Sequence, residues 1–207
     1  MKKLLLLFLF YPVLLVSQSI PVIYAEGGVD WSERKEDLTD DTLWATAISN
    51  FFNTRSSSSL ANQGSSSYEV SNLNDWDPTT CWVEGSSDYG IGEYFIIFPK
   101  DDFDAGLAGD IFFDIPNRIY NGYQKSYYFW INNSRVKKFK IYLDNEAICY
   151  LILQDKMGGQ FFDLPINSVH PLHQDFKWQE IKFEIVEVYK GNKWSDVAIT
   201  EIHRVQH

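Results

Sequence analysis

Recognisable catalytic signatures are missing from this chain. It has no Gly-x-Ser-x-Gly, no His-Glu-x-x-His, no cysteine with an evident histidine partner and no phosphate-cradling glycine loop. Histidine is scarce. His170 and His173 are separated by Pro171, which blocks the helix that i, i+3 ligation would use, and His203 and His207 fall at the C-terminal end. Positive charge is also short: 18 Lys and Arg stand against 28 Asp and Glu, for a net charge of −10. Such a chain is a poor partner for nucleic acid, heparin or anionic membrane surfaces. Only two cysteines occur, Cys81 and Cys149. An even number permits a disulfide in an oxidising compartment, while apolar neighbours equally suit two small buried hydrophobes. These absences favour a protein that is not an enzyme. The carboxylate pair Glu84 and Glu93 leaves one opening, glycoside hydrolysis, which needs two facing carboxyl groups.

A long hydrophobic run is lacking as well. Leu4 to Val16 is apolar apart from Tyr11 and Pro12, but it stops at the polar Ser17-Gln18-Ser19, short of the ~20 residues that span a bilayer. Lys2 and Lys3 precede the run, and Val22-Ile23-Tyr24-Ala25 closes on a small residue. Positive start, apolar centre and small-residue site together read as a cleaved signal peptide over residues 1–25. No cysteine follows the run to carry a lipid. The mature chain is therefore expected to be exported, to lack a membrane span, and to form one domain of ordinary length.

What is present is aromatic and β-forming. Leu43, Trp44, Ala47, Ile48, Phe51 and Phe52 recur at helical spacing, with Thr39, Asp40 and Asp41 as N-caps, which predicts a short helix over Thr39–Asn53. A helical extension over 26–54 is the resulting expectation. Ser-rich RSSSSLANQGSSSYEV follows, by composition a linker. Short β-branched and aromatic runs then repeat: Tyr94–Phe98, Ile111–Ile115, Phe139–Leu143, Ile148–Leu153, Gln160–Leu164, Trp178–Tyr189 and Ala198–Ile202. Turn signals separate them at Asp144-Asn145, Met157-Gly158-Gly159 and Lys190-Gly191-Asn192. Strands without helical spacing between them predict an all-β antiparallel sandwich or barrel.

The stretch NLNDWDPTTCW, residues 72–82, follows neither period. Asp75, Asp77 and Thr80 gather hard oxygens on a tight loop, as a Ca²⁺ ion wants, although the spacing is not that of an EF-hand. The commoner arrangement for such a stretch is an Asx-turn, with Asn74, Asp75 and Asp77 capping their own backbone. This stretch resembles the signature of discoidin-like domains (coagulation factor 5/8 type C, galactose-binding-like). The longer series Trp82-Val-Glu84-Gly85, Gly90-Ile-Gly92-Glu93, Asn121-Gly122-Tyr123, Asn133-Ser-Arg135, Val188-Tyr189-Lys190-Gly191 and Asp196 with Thr200-Glu201-Ile202 resembles the module found as the translocation, or glycan-binding, domain of a bacterial NAD-glycohydrolase toxin.

That resemblance spans about residues 55–203 and carries several implications. The fold becomes a jelly-roll sandwich with domain limits 55–207, and the Ser-rich segment becomes its first edge and loop. A structural calcium would use Asp75, Asp77, Thr80 and Glu201. Where relatives have a glycine after the first Asp, this chain has Trp76. NAD cleavage is not implied, since it lies on another domain of the toxin. A carbohydrate or cell-surface glycan is the implied ligand, with an envelope or secreted protein as the other possible partner. The location would be secreted, periplasmic or at the cell envelope of a bacterium. Tyr123, Asn133 and Arg135, with Trp76 and Tyr89 at loop tips, form the candidate sugar surface: aromatic faces for C–H groups, polar side chains for hydroxyls. The competing reading makes Arg135, Asn121 and Glu93 a buried polar network that fixes the fold, with Glu84 and Glu93 accepting from Asn121, Lys125 or Arg135.

Overall fold

The computed structural model describes residues 19–29, 52–100, 115–166 and 179–204. Strands β1 (Val22–Tyr24), β3 (Phe52–Ser56), β5 (Tyr94–Pro99), β7 (Arg135–Leu143), β8 (Glu146–Ile152) and β10 (Ile181–Tyr189) make a six-stranded sheet in the order β1-β8-β7-β10-β5-β3. Strands β2 (Glu26–Val29), β4 (Trp82–Val83), β6 (Arg118–Asn121), β9 (Met157–Phe161) and β11 (Ala198–His203) make a second sheet in the order β2-β9-β6-β11-β4. Among the described strands all pairings are antiparallel except β1 with β8, and the isolated bridges Gly122–Ile199 and Ser134–Val197 are parallel. The molecule is the all-β sandwich that the strand pattern predicts, and its element order suits a jelly roll.

The alternation along β10 shows how the sequence builds it. Ile181, Phe183 and Ile185 point inward and are buried, while Lys182 and Glu184 point outward. Phe183 stacks on Phe95 at 4.7 Å, and Phe139 meets both rings edge-on. Trp82 and Ile199 close this core from the second sheet. On the outer face the lysines lie over tyrosines: Lys182 over Tyr142 at 3.9 Å, and Lys138 over Tyr150 at 4.6 Å. At Asp144-Asn145 both residues take positive φ (47° and 71°), the tight hairpin turn expected between β7 and β8.

Several expectations meet a different structure. The Met157-Gly158-Gly159 turn is instead strand β9. Gly158 takes φ +81°, and a Cβ on Gly159 would lie 2.1 Å from the Arg118 Nε, so Gly159 lets the strand close over a buried arginine. Phe52 and Asn53, assigned to the N-terminal helix, open β3; the rest of that helix lies outside the described residues, as do residues 111–114 of one predicted strand. His203 is not at a frayed end but buried inside β11. Strands β1 and β2 occupy part of the segment read as a signal peptide and helical extension, and Ala25 between them is buried in the core. Cys81 and Cys149 are both free and buried, in separate hydrophobic clusters. No helix among the described residues is long and apolar enough to cross a membrane.

Candidate functional site

The Ser-rich segment is not a linker but the wall of a cleft. Beyond β3 the chain folds onto β4: Leu60 N–H donates to Val83 O at 2.8 Å, and Val83 N–H donates to Tyr68 O at 3.3 Å. The serines do the tying. Ser57 and Ser58 hydroxyls each donate to Glu93 Oε2 at 2.5 Å, and Ser58 Oγ accepts from Gly85 N–H at 2.8 Å. Trp82 Nε1 donates to Ser58 O at 3.0 Å.

Across from this loop, Ser126 caps the short helix α1 (Tyr127–Asn132), its Oγ accepting from Phe129 N–H. Asn121 pairs with the backbone of Val136 in both directions, at 2.7 and 3.0 Å, which pins the turn before that helix. Between the two walls lies a cleft of about 150 Å³ lined by Leu60, Tyr68, Tyr123, Phe129, Asn133, Trp194 and Asp196, among others. Tyr123 and Phe129 rings lie 5.0 Å apart on its floor. At the rim Tyr128 is 50% exposed and Trp194 38%; their rings meet edge-on at 6.3 Å, and Lys193 Nζ donates to Tyr128 OH at 2.7 Å. Asp196 is partly buried, which raises its carboxyl above the ordinary value.

The five predicted sugar contacts divide. Tyr123 and Asn133 line the cleft, though both are largely buried: Tyr123 OH donates to Thr79 O at 2.9 Å, and Asn133 Nδ2 donates to Phe129 O at 2.9 Å. Arg135 does not face it. Its Nε and Nη2 grip Asp155 at 2.7 and 3.1 Å, its Nη1 donates to Trp130 O and Asn133 O, and its guanidinium lies 4.3 Å from the Trp130 ring centre. Arg135 is thus committed to Asp155 and to backbone carbonyls, and Glu93 of the competing network is not among its partners. Trp76 is not a loop-tip platform either; it packs on His203 with ring centres 4.5 Å apart. Tyr89 sits away from the cleft under Lys190, whose Nζ is 4.6 Å from its ring. Sequence reasoning missed Tyr68, Phe129, Trp194 and Asp196. The pair Trp194-Ser-Asp196, an aromatic and an acid in a short polar loop before the last strand, was the available signal.

The acidic loop adjoins the cleft through Tyr123 and Thr79. Asp75 Oδ1 accepts from Asp77 N–H at 2.9 Å and Asp77 Oδ1 from Thr79 N–H at 2.8 Å, two successive Asx-turns. Thr80 Oγ1 donates to Asp75 Oδ2 at 2.8 Å, and Asp77 N–H also donates to Glu201 Oε1 at 3.1 Å. Trp76, between the two aspartates, takes the left-handed backbone with φ +67°. The structure therefore brings Asp75, Thr80 and Glu201 together, whereas Asp77 joins them through its backbone N–H and turns its carboxylate to Thr79. Glu201 is fully buried; burial first, then the neighbouring Asp75 carboxylate, pushes its carboxyl up to about 10. Its Oε2 makes no hydrogen bond of normal geometry, and His203 Nε2 stands 3.5 Å away. Burial and then Arg118 push His203 down to about 3, so both groups are neutral at pH 7.

Glu84 and Glu93 are likewise placed differently from the expectation. Glu84 is fully buried, accepting from Ser86 N–H at 2.6 Å and Val197 N–H at 3.1 Å, and burial lifts its carboxyl to about 7. Gly90, at φ +61°, must be glycine, since a Cβ would sit 2.7 Å from Glu84 Cγ. Neither carboxylate takes its bonds from Asn121, Lys125 or Arg135; backbone amides hold Glu84, and serine hydroxyls hold Glu93.

Residues 47–204 match the family described as NAD glycohydrolase translocation F5/8 type C domain. The chain belongs to that family. The F5/8 type C identity agrees with the two-sheet sandwich. No curated protein matches the chain. Two cryo-EM structures of the arabinofuranosyltransferase AftD from Mycobacteria are similar, each at 15% identity over 74% of this chain, with TM-scores of 0.44 and 0.42. The matched region spans only 11% and 10% of those much longer chains.

Proposed function

We propose that this F5/8 type C domain is an exported, non-catalytic carbohydrate-binding module whose sugar seat is the cleft between the Ser-rich loop and α1. One observation carries the reading: aromatic faces from Tyr68, Phe129 and Trp194 stand beside an amide and a carboxylate, Asn133 and Asp196, in a single concavity. Sugars present C–H faces to aromatic rings and hydroxyls to amides and carboxylates. At about 150 Å³ the cleft suits one ring of a glycan, with Tyr128 and Trp194 at the rim for the next. A glycan-array screen of the exported chain tests this. Saturable binding to one sugar family, weakened about tenfold or more (about 1.4 kcal/mol) by Trp194→Ala, is the expected result. Trp76→Ala should leave affinity unchanged. No binding by folded protein would transfer the proposal to a module that holds an envelope or secreted protein.

The Asp75–Glu201 cluster suits a hard cation by its donor chemistry. A buried carboxyl with an oxygen outside any normal hydrogen bond faces a second carboxylate, a threonine hydroxyl and the carbonyls of a tight loop. Among the described residues no three His, Cys, Asp or Glu side chains converge as ligands, so backbone and hydroxyl oxygens would have to complete the shell. Bound Ca²⁺ would take the place of the proton on Glu201 and tie the last strand to the loop under the cleft.

A further inference from the structure

Chain segment Pro21–Ala25 is an integral part of the sandwich. β1 lies along β8 with Val22 opposite Tyr150, Ile23 opposite Leu151 and Tyr24 opposite Ile152. Tyr150 N–H donates to Pro21 O and Ala25 N–H donates to Ile152 O, both at 2.8 Å. Gln154 Nε2 donates to Ala25 O at 2.9 Å, the Ala25 side chain is 2% exposed, and Ile23 packs against the core. A leader cut after Ala25 would remove this strand, expose the edge of β8 with its unpaired N–H and C=O groups, and uncover the core at Ala25.

A leader peptidase needs small side chains at the residue before the cut and two residues further back. Upstream of β1 the sequence supplies one such pair close to the apolar run, Ser17 and Ser19, with Gln18 between them. The run ends at Val16, so Ser19 is three residues beyond it and Ala25 is nine. Ser19 is exposed, and among the described residues the first atom tied to β8, Pro21 O, lies two residues past it.

We propose that the leader is cut between Ser19 and Ile20, so that the mature protein begins Ile20-Pro21 and keeps β1 as a built-in edge strand. Hydrolysis of that one peptide bond leaves a carboxylate on Ser19 and an ammonium on Ile20, outside the paired strand. The proposal rests on the export reading above, and the test separates the two. The full chain, tagged at its C-terminus and expressed in a bacterial host, is recovered from the exported fraction for N-terminal sequencing and intact mass. Ile20 as first residue is the expected result. Glu26, or any first residue other than Ile20, in exported protein overturns the cleavage site while leaving export standing. Met1 on protein found only inside the cell overturns the export reading and the cleavage site with it. A second variant, Ser19→Leu, places a large side chain before the cut without touching the folded strands. It should slow processing at least about tenfold in a pulse-chase; unchanged processing would overturn the assignment.

Discussion

At the scale of single residues, the structure turns several polar positions from candidate ligands into supports. Arg135 commits its guanidinium to Asp155 and to two carbonyls, so it fixes the helix–strand junction beside the cleft. Gly159 is the sharpest steric requirement: a methyl there meets Arg118 Nε at 2.1 Å. Gly159→Ala is therefore expected to cost about 1–3 kcal/mol by overpacking, read as a lower urea midpoint with unchanged slope. Glu201 sets a pH dependence. A carboxyl raised from its ordinary 4.5 to about 10 keeps its proton longer in the folded state than in the unfolded chain, so its contribution is present at low pH and is lost as pH rises through about 10. Glu84 acts in the same direction over the narrower window from 4.5 to about 7. His203, lowered from 6.5 to about 3, opposes both, its contribution being lost as pH falls below 6.5. Thermal stability should thus decline steadily from pH 7 to pH 9, and Glu201→Gln should flatten that decline. A melting series in which Glu201→Gln keeps the wild-type slope would contradict the assignment.

At the scale of elements, the Ser-rich loop shows why composition alone misleads. Its serines are spent on Glu93, Gly85 and Trp82, and the loop becomes one wall of the cleft. Ser58→Ala removes two of those bonds and should cost about 1–2 kcal/mol, while shifting affinity for any cleft ligand because the wall moves with it. Denaturation and glycan titration of the same variant check both. The segments that alternate cleanly, such as residues 181–185 of β10 and 139–143 of β7, were legible because one face is core and the other lies outside it. β9 was not, because Gly159 answers to a buried arginine far away in sequence. The two-residue β4 and the N-terminal pair β1–β2 are likewise set by partners rather than by local pattern. The acidic loop was legible as Asx-turns, and those turns are how the chain brings Asp75 and Thr80 beside Glu201. The cleft was legible only in part: Tyr123 and Asn133 carry a motif, whereas Tyr68 and Trp194 reach it from loops whose paths depend on the whole fold.

On the scale of the whole molecule, the acidic loop meets the floor of the cleft where Tyr123 OH donates to Thr79 O, and this joins stability to binding. Ca²⁺ would compete with the proton on Glu201, so its stabilising effect should be small at pH 6 and grow toward pH 9. Melting in calcium and in chelator at both pH values measures this; equal shifts at both would argue against a site at Glu201. The two sheets hold together without any covalent tie, because Cys81 and Cys149 are separate, buried and free. Burial holds both thiols well above their ordinary pKa, Cys149 at about 12. Neither thiol can meet a reagent until the sandwich parts, and the two sit in different halves of its interior. The molecule therefore carries two native clocks for its own opening: alkylation of Cys149 times the parting of the main core, and alkylation of Cys81 times the loosening of the floor beneath the cleft.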